Sequence, residues 1–296
     1  MTSPSYLKQG DKIGIVATAR LISQEELQPA IDILRSWGLE VVLGKNLFNT
    51  NNQYAGTDAE RAEDLQTMLD DRSVKAVISA RGGYGTVRII DKLDFTQFKN
   101  NPKWMIGYSD ITVLHSHIHN LGIETIHATM LINFTKNKEA TDSLRKVLFG
   151  ETINYETESN ELNRNGNAEG ELIGGNLSLL YALTGSVSDI NTGGKILFIE
   201  DLDEYLYHID RMMMNLKRSG KLDNLEGLIV GGMTDMKDNT IPFGKTAEEI
   251  ILDSVREYNY PVCFNFPAGH IDRNLALHFG RKVMLSVGAK VTLAFN

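Results

Sequence analysis

The chain has a single cysteine, Cys263, so it can form neither an intramolecular disulfide nor a cysteine-rich metal site. That thiol lies in the apolar run PVCFNF, where a buried, inert sulfur is expected. No apolar run approaches the roughly 20 residues that cross a bilayer. The opening residues, MTSPSYLKQGDK, lack the apolar core of a secretory signal and lead almost directly into a strand. A cytoplasmic location is therefore expected, unless the chain is a mature form that has lost a leader. Positive charge is also scarce: 30 Lys and Arg against 38 Asp and Glu give a formal net charge of −8. Nucleic acid is thus an improbable partner, although a local cationic pocket remains open. There is no tandem repeat and no low-complexity segment.

What remains is ordinary globular material, 296 residues with 42% hydrophobic and 23% charged, enough for one large domain or two. KIGIVAT (Lys12 to Thr18) is a compact apolar run. Ser23 and Glu26 then have capping-box spacing, with Leu27, Ala30, Ile31 and Leu34 on one helical face. Gly38 stops that helix before the strand LEVVL, and Thr57 with Glu60 repeats the capping box. VKAVISA, the glycine-rich RGGYG, a short helix, a strand at Trp104 to Ile106 and a helix after Ser109 follow. Strands alternating with helices predict an N-terminal α/β domain with a doubly wound parallel sheet, over residues 1–135.

From Lys136 to Gly150 one amphipathic helix is expected, with Ala140, Leu144, Val147 and Leu148 on a face. ETINYETESNELNRNGNAEG is polar with little core material, so 136–168 is expected to be a polar linker. Residues 169–296 then form a smaller mixed α/β C-terminal domain, with LALHF, KVMLSV and KVTLAF as a small terminal sheet.

In open α/β sheets, ligands bind beyond the carboxyl ends of the strands. After VKAVISA comes Arg81-Gly82-Gly83-Tyr84-Gly85; after WMI, Gly107-Tyr108-Ser109-Asp110; after KILFI, Glu200-Asp201; and after PVCFNF, Pro267-Ala268-Gly269-His270. A glycine loop, a serine, a carboxylate and a histidine at strand ends are the components of acyl transfer through serine. A serine just ahead of a helix is as readily an N-cap, and GYSD lacks the last glycine of G-x-S-x-G. RGGYG is neither a P-loop nor a dinucleotide fingerprint. Its plain reading is a tight turn. Its functional reading brings a backbone N–H to the substrate, with Gly83, or failing that Gly82, joining the Asp110 N–H as oxyanion donors. Glu200, nearest its strand, is the best-held acid of its cluster. His115 and His119 share a helix face as zinc ligands do, but there is no H-E-x-x-H and no evident third ligand. Neither a metal nor a cofactor is called for. His127 follows another strand and is a candidate for the pocket wall. A free substrate carboxylate needs a cation or a helix N-terminus, for which Arg81 is a candidate; Asn176 in IGGNLS is expected to line the pocket.

RGGYG, GYSD, IGGNLS, FIEDLDEYLYHIDRM and FPAGH, in this order from Arg81 to His270, resemble the LD-carboxypeptidase family of serine peptidases, which includes the microcin C self-immunity hydrolases. The resemblance implies a Ser–His–Glu triad of Ser109, His270 and Glu200, with the serine on the N-terminal domain and the glutamate and histidine on the C-terminal one. It implies removal of the terminal D-alanine from a murein tetrapeptide, in peptidoglycan recycling, by a homodimer. Two alternatives stay open: hydrolysis of a peptidyl-nucleotide antibiotic, and non-catalytic binding of a small peptide or sugar. Because Ser109 and Glu200 belong to different domains, triad closure is expected to depend on interdomain geometry.

Overall fold

The computed structural model describes residues 1–295. Strands β1 (Lys12–Val16), β2 (Glu40–Leu43), β3 (Val74–Ser79), β4 (Trp104–Gly107) and β5 (Thr125–His127) alternate with helices α1 (Gln24–Ser36), α2 (Asp58–Asp70), α3 (Thr96–Asn100) and α4 (Thr112–Asn120). They pair in parallel in the order β2-β1-β3-β4-β5, the doubly wound sheet expected. Local chemistry explains the helix boundaries. The Ser23 hydroxyl accepts the Glu26 N–H at 3.1 Å while the Glu26 carboxylate accepts the Ser23 N–H at 2.8 Å, and Thr57 with Glu60 does the same. Gly38, at φ 81°, ends α1 in the left-handed conformation that glycine adopts most easily. Ile13, Ile15, Ile78, Trp104 and Ile106 are fully buried in the sheet, each side chain contributing roughly 1.5–3 kcal/mol.

The second half continues with α5 (Lys138–Leu148), β6 (Asn154–Glu158), β7 (Gly166–Asn176), α6 (Leu177–Leu183), β8 (Lys195–Leu202), α7 (Leu206–Arg218), β9 (Gly227–Thr234), α8 (Ala247–Ser254), β10 (Val262–Cys263), β11 (Leu277–Phe279), β12 (Lys282–Val287) and β13 (Lys290–Phe295). Its sheet runs β10-β9-β8-β7-β12-β13-β6, parallel as far as β7 and antiparallel beyond. Cys263 is buried there, and burial pushes its thiol up to about 12. No helix among the described residues is long and apolar enough to cross a membrane.

Two expectations are corrected. The 136–168 stretch holds the expected amphipathic helix as α5, whose Ala140, Leu144, Val147 and Leu148 are all buried, but its polar part is not a plain linker, since it forms the strand β6. An edge strand pairs on one side only and buries one face partly, so NYETE can be polar and still be a strand. LALHF does not join the terminal sheet either. As β11 it pairs antiparallel with β5, Leu277 opposite His127, and becomes the far edge of the first sheet. Three buried residues carry no pattern that selects between two sheets.

Candidate active site

The carboxyl ends of both sheets border one cleft of about 510 Å³, lined by Arg20 after β1, Arg81 to Gly83 after β3, Ser109 after β4, Asn176 at the end of β7, Asp201 on β8, and His270. A smaller lobe of about 240 Å³ also has His270 in its wall.

Ser109 sits at φ 62°, a conformation that costs a residue with a side chain of order 1–3 kcal/mol. It opens a single 3₁₀ turn, Ser109–Ile111, ahead of α4, and no side chain caps the turn or α4. The hydroxyl is therefore not an N-cap. Its Oγ lies 3.0 Å from His270 Nε2. On the other side of the ring, Nδ1–H donates to Glu200 Oε2 at 2.5 Å, and the His270 backbone N–H donates to the same oxygen at 3.0 Å. Glu200 is fully buried near the end of β8. A Cβ at Gly269 (φ 103°) would stand 2.7 Å from Glu200 Cβ, which accounts for the glycine before the histidine. Burial lowers the His270 pKa, but the Glu200 carboxylate outweighs it and the net shift is upward. The Tyr108 ring meets the imidazole edge-on at 4.9 Å, and its hydroxyl accepts from Asn133 Nδ2 at 2.8 Å. All three side chains are thus within reach of one another in this structure. The expectation that triad closure awaits interdomain movement is overturned.

The glycine loop is pinned beside the serine. A Cβ at Gly82 would lie 3.2 Å from Ser109 Oγ, whereas one at Gly83 (φ 127°) would strike Arg20 Cγ at 2.6 Å. Gly82 is the glycine in closest approach to the serine, and Gly83 is covered by the Arg20 stem. Asp110 is buried, and its Oδ2 accepts the Thr86 N–H at 2.8 Å and the Thr86 hydroxyl at 2.6 Å. Its side chain therefore ties the residue after the nucleophile to the turn after RGGYG. Burial raises the Asp110 pKa, against the lowering effect of these bonds.

Arg81 lines the cleft, with Nη1–H donating to Leu21 O at 3.2 Å. Asn176 lines it too, but its polar atoms are engaged within the protein. Nδ2 donates to Asp201 Oδ1 at 2.8 Å, and Oδ1 accepts the Ser178 hydroxyl at 2.6 Å and the Leu179 N–H at 3.2 Å. Asp201 also accepts the Ser178 N–H, and burial followed by the adjacent Glu200 charge pushes its carboxyl up to about 7.

His127 does not line the cleft. It is fully buried among the rings of Tyr108, Phe198 and Phe279, where burial drives its pKa far down. His115 spends its ring nitrogens on Thr125 Oγ1 and Gly107 O, and burial lowers it to about 4. Among the described residues, no three His, Cys, Asp or Glu side chains gather as metal ligands.

Sequence reasoning missed Arg20, Tyr108, Asn133, Lys136 and Asp201 as cleft residues. Arg20 had a signal, since it follows β1 as Arg81 follows β3. Lys136 had none, because it stands at the start of the expected amphipathic helix and follows no strand end.

Models of two families match the chain, the LD-carboxypeptidase N-terminal domain over residues 13–128 and the LD-carboxypeptidase C-terminal domain over residues 169–285. A protein of Bacillus subtilis named probable murein peptide carboxypeptidase is 39% identical, covering 98% of this chain and 93% of its own. The crystal structure of muramoyltetrapeptide carboxypeptidase from Oxalobacter formigenes is 27% identical with a TM-score of 0.87, over 96% of this chain and 98% of that one. The microcin C7 self immunity protein MccF, in complex with glutamyl sulfamoyl guanosine, shares the fold at a TM-score of 0.89 and 22% identity, over 99% and 98%. With both family models matched in order and a relative of this identity aligned almost end to end, the chain belongs to the LD-carboxypeptidase family.

Proposed function

We propose that the chain is a serine L,D-carboxypeptidase that releases the terminal D-alanine of a murein tetrapeptide, residues 1–135 delivering the nucleophile and 169–296 the glutamate and histidine. The observation that carries this reading is the unbroken line from Ser109 Oγ through His270 to Glu200, with the serine in a conformation that only surrounding structure sustains. In this mechanism His270 Nε2 takes the Ser109 proton as Oγ attacks the carbonyl of the third residue. Glu200 holds the tautomer and stabilises the imidazolium. The Asp110 N–H, with that of Gly83 or Gly82, faces the oxyanion; losing one such donor costs roughly 100- to 1,000-fold in turnover. His270 then protonates the departing amine, and water, activated by the same imidazole, releases the acyl group. The names of the relatives support a murein peptide as substrate. A cytoplasmic setting and a homodimer follow from the family resemblance. Phe149 and Tyr155, the aromatics of the 135–170 stretch, pack into the protein, which offers a nucleotide no base-stacking loop there.

The test is release of D-alanine from a diaminopimelate-type tetrapeptide by wild type and Ser109→Ala. Release that disappears in the variant is the expected result. No release from folded wild type would refute the substrate, and release that survives in the variant would refute the nucleophile.

A further inference from the structure

His270 stands where two lobes meet. The larger one contains Ser109 with Arg20 and Arg81; the smaller one lacks all three and contains Lys136, Asp235 and Asp272. In acyl transfer the histidine that activates the serine also protonates the leaving amine, so the departing residue lies on the histidine's side of the nucleophile. The smaller lobe is on that side. Resting on the carboxypeptidase reading, we propose that this lobe receives the departing amino acid and that Lys136 recognises its free carboxylate.

One observation separates Lys136 from both Arg20 and Arg81, and two more separate it from Arg81. It is the lysine or arginine shared by both lobes, so it lies in the wall where the lobe holding Ser109 meets the lobe holding Asp235 and Asp272. Among the described residues its ammonium, like the Arg20 guanidinium, has no carboxylate or hydrogen-bond partner, whereas Arg81 is held by Leu21 O. It is also exposed, as Arg20 is and the half-buried Arg81 is not, so its charge carries no burial cost before substrate arrives. The acids in the lobe fit the other end of the same molecule. When the C–N bond breaks and the Ser109 ester forms, the leaving nitrogen takes the proton held by His270 and becomes a free amine. A further proton from water makes it an ammonium. The released residue is then a zwitterion, facing one cation and the two carboxylates of Asp235 and Asp272, neither of which has an ion-pair partner among the described residues.

The experiment compares kcat/KM for a murein tetrapeptide ending in D-alanine with that for the same peptide ending in D-alaninamide. Wild type should prefer the acid by about 10- to 100-fold, the value of one charge-assisted contact. Lys136→Met should lose that preference, mainly through KM on the acid and with little change on the amide. Lys136→Arg should restore part of it, and Arg81→Met should keep it. Thermal midpoints check that each variant is folded. A Lys136→Met enzyme that still prefers the acid, or an Arg81→Met enzyme that no longer does, overturns the assignment. A wild type that cleaves both peptides equally also overturns it. Cleavage of neither peptide by wild type refutes the carboxypeptidase reading itself, and so separates the two failures.

Discussion

Replacing Glu200 by glutamine removes a charge and almost nothing else, which makes it the sharpest test of the proposed triad. Glu200 Oε2 accepts two N–H groups from His270, while Oε1 is buried without a partner. In Glu200→Gln the amide oxygen can keep the Oε2 place, and the NH2 group then occupies the partnerless one. The cost to folding is one buried NH2 group whose two N–H donors lack partners, at least about 1–3 kcal/mol. The cost to catalysis is larger. A triad amide that also reverses the histidine tautomer lowers turnover roughly 10,000-fold, or about 5.5 kcal/mol of transition-state stabilisation; with the tautomer kept by the amide oxygen, that figure is the upper bound of the loss. The pH profile should move as well. Burial lowers the His270 pKa and the Glu200 charge raises it beyond that, so the wild-type imidazolium persists above the usual 6.5. His270 must be neutral to accept the Ser109 proton, so kcat/KM should rise with pH through this raised value. Without the Glu200 charge, burial dominates and the acid limb should shift to lower pH. Stability carries the opposite sign: a raised histidine pKa contributes stability that is complete below about pH 6.5 and lost as pH rises through the folded value. Glu200→Gln should remove that contribution. D-alanine release from about pH 5 to 9, with urea unfolding at the same pH values, measures both. An acid limb that stays in place, or a loss in turnover below about tenfold, would refute the proposed role of Glu200.

Three glycine substitutions separate packing from chemistry. A Cβ at Gly174, where φ is 132°, would stand 1.8 Å from Phe198 O, so Gly174→Ala should cost more than about 4 kcal/mol in urea unfolding or prevent folding. Gly185 has a similarly positive φ of 81° with nothing within 4 Å, and Gly185→Ala should cost only about 1–2 kcal/mol; equal losses at the two sites would contradict the clash. Gly82→Ala presses a methyl against Met130 Cε and Ser109 Oγ at 3.1 and 3.2 Å. Its effect should appear as reduced kcat with a nearly unchanged unfolding midpoint, and a loss of stability without loss of turnover would place Gly82 outside the site.

Much of this was legible because it is encoded locally. The two capping boxes, the glycine stop at Gly38 and the strand ends at Ser109 and Glu200 each depend on a few neighbouring residues, whereas His270 lies seven residues past the end of β10, in the loop before β11. What was not legible depends on partners distant in sequence. NYETE resembles a linker until β13 pairs with it, and LALHF could lie in either sheet until β5 is in place. IGGNLS reads as a pocket-lining segment from its asparagine, but nothing in it shows that each of its two glycines marks a close approach. Gly174 passes over Phe198 O, and a Cβ at Gly175 would lie 2.4 Å from Thr112 Oγ1 on the nucleophile helix. Lys136 had no sequence signal because its relevance comes from a cleft that forms only when both sheets are present.

These long-range contacts explain why the triad stands assembled although its members come from opposite halves of the chain. Thr112, three residues after Ser109, accepts the Asn176 N–H at 2.9 Å, which joins α4 to the end of β7 beside the strand that carries Glu200. On the histidine side, β11 returns to the first sheet seven residues after His270. Arg273 makes a two-pronged pair with Glu139 at 2.7 Å in the loop between them. That exposed pair adds little stability on its own. Its contribution is positional, because it anchors to α5 the same loop whose Gly269 N–H is held by Asn274 Oδ1 at 2.8 Å. Ser109 is therefore approached by a histidine fixed on both flanks, and its strained turn at φ 62° is followed by Asp110, whose buried carboxylate is bonded to Thr86. The crossing of β11 into the other sheet, a feature not visible in the sequence, thus ties the loop that carries His270 to the sheet that carries Ser109, while Glu200 holds the histidine from the other sheet.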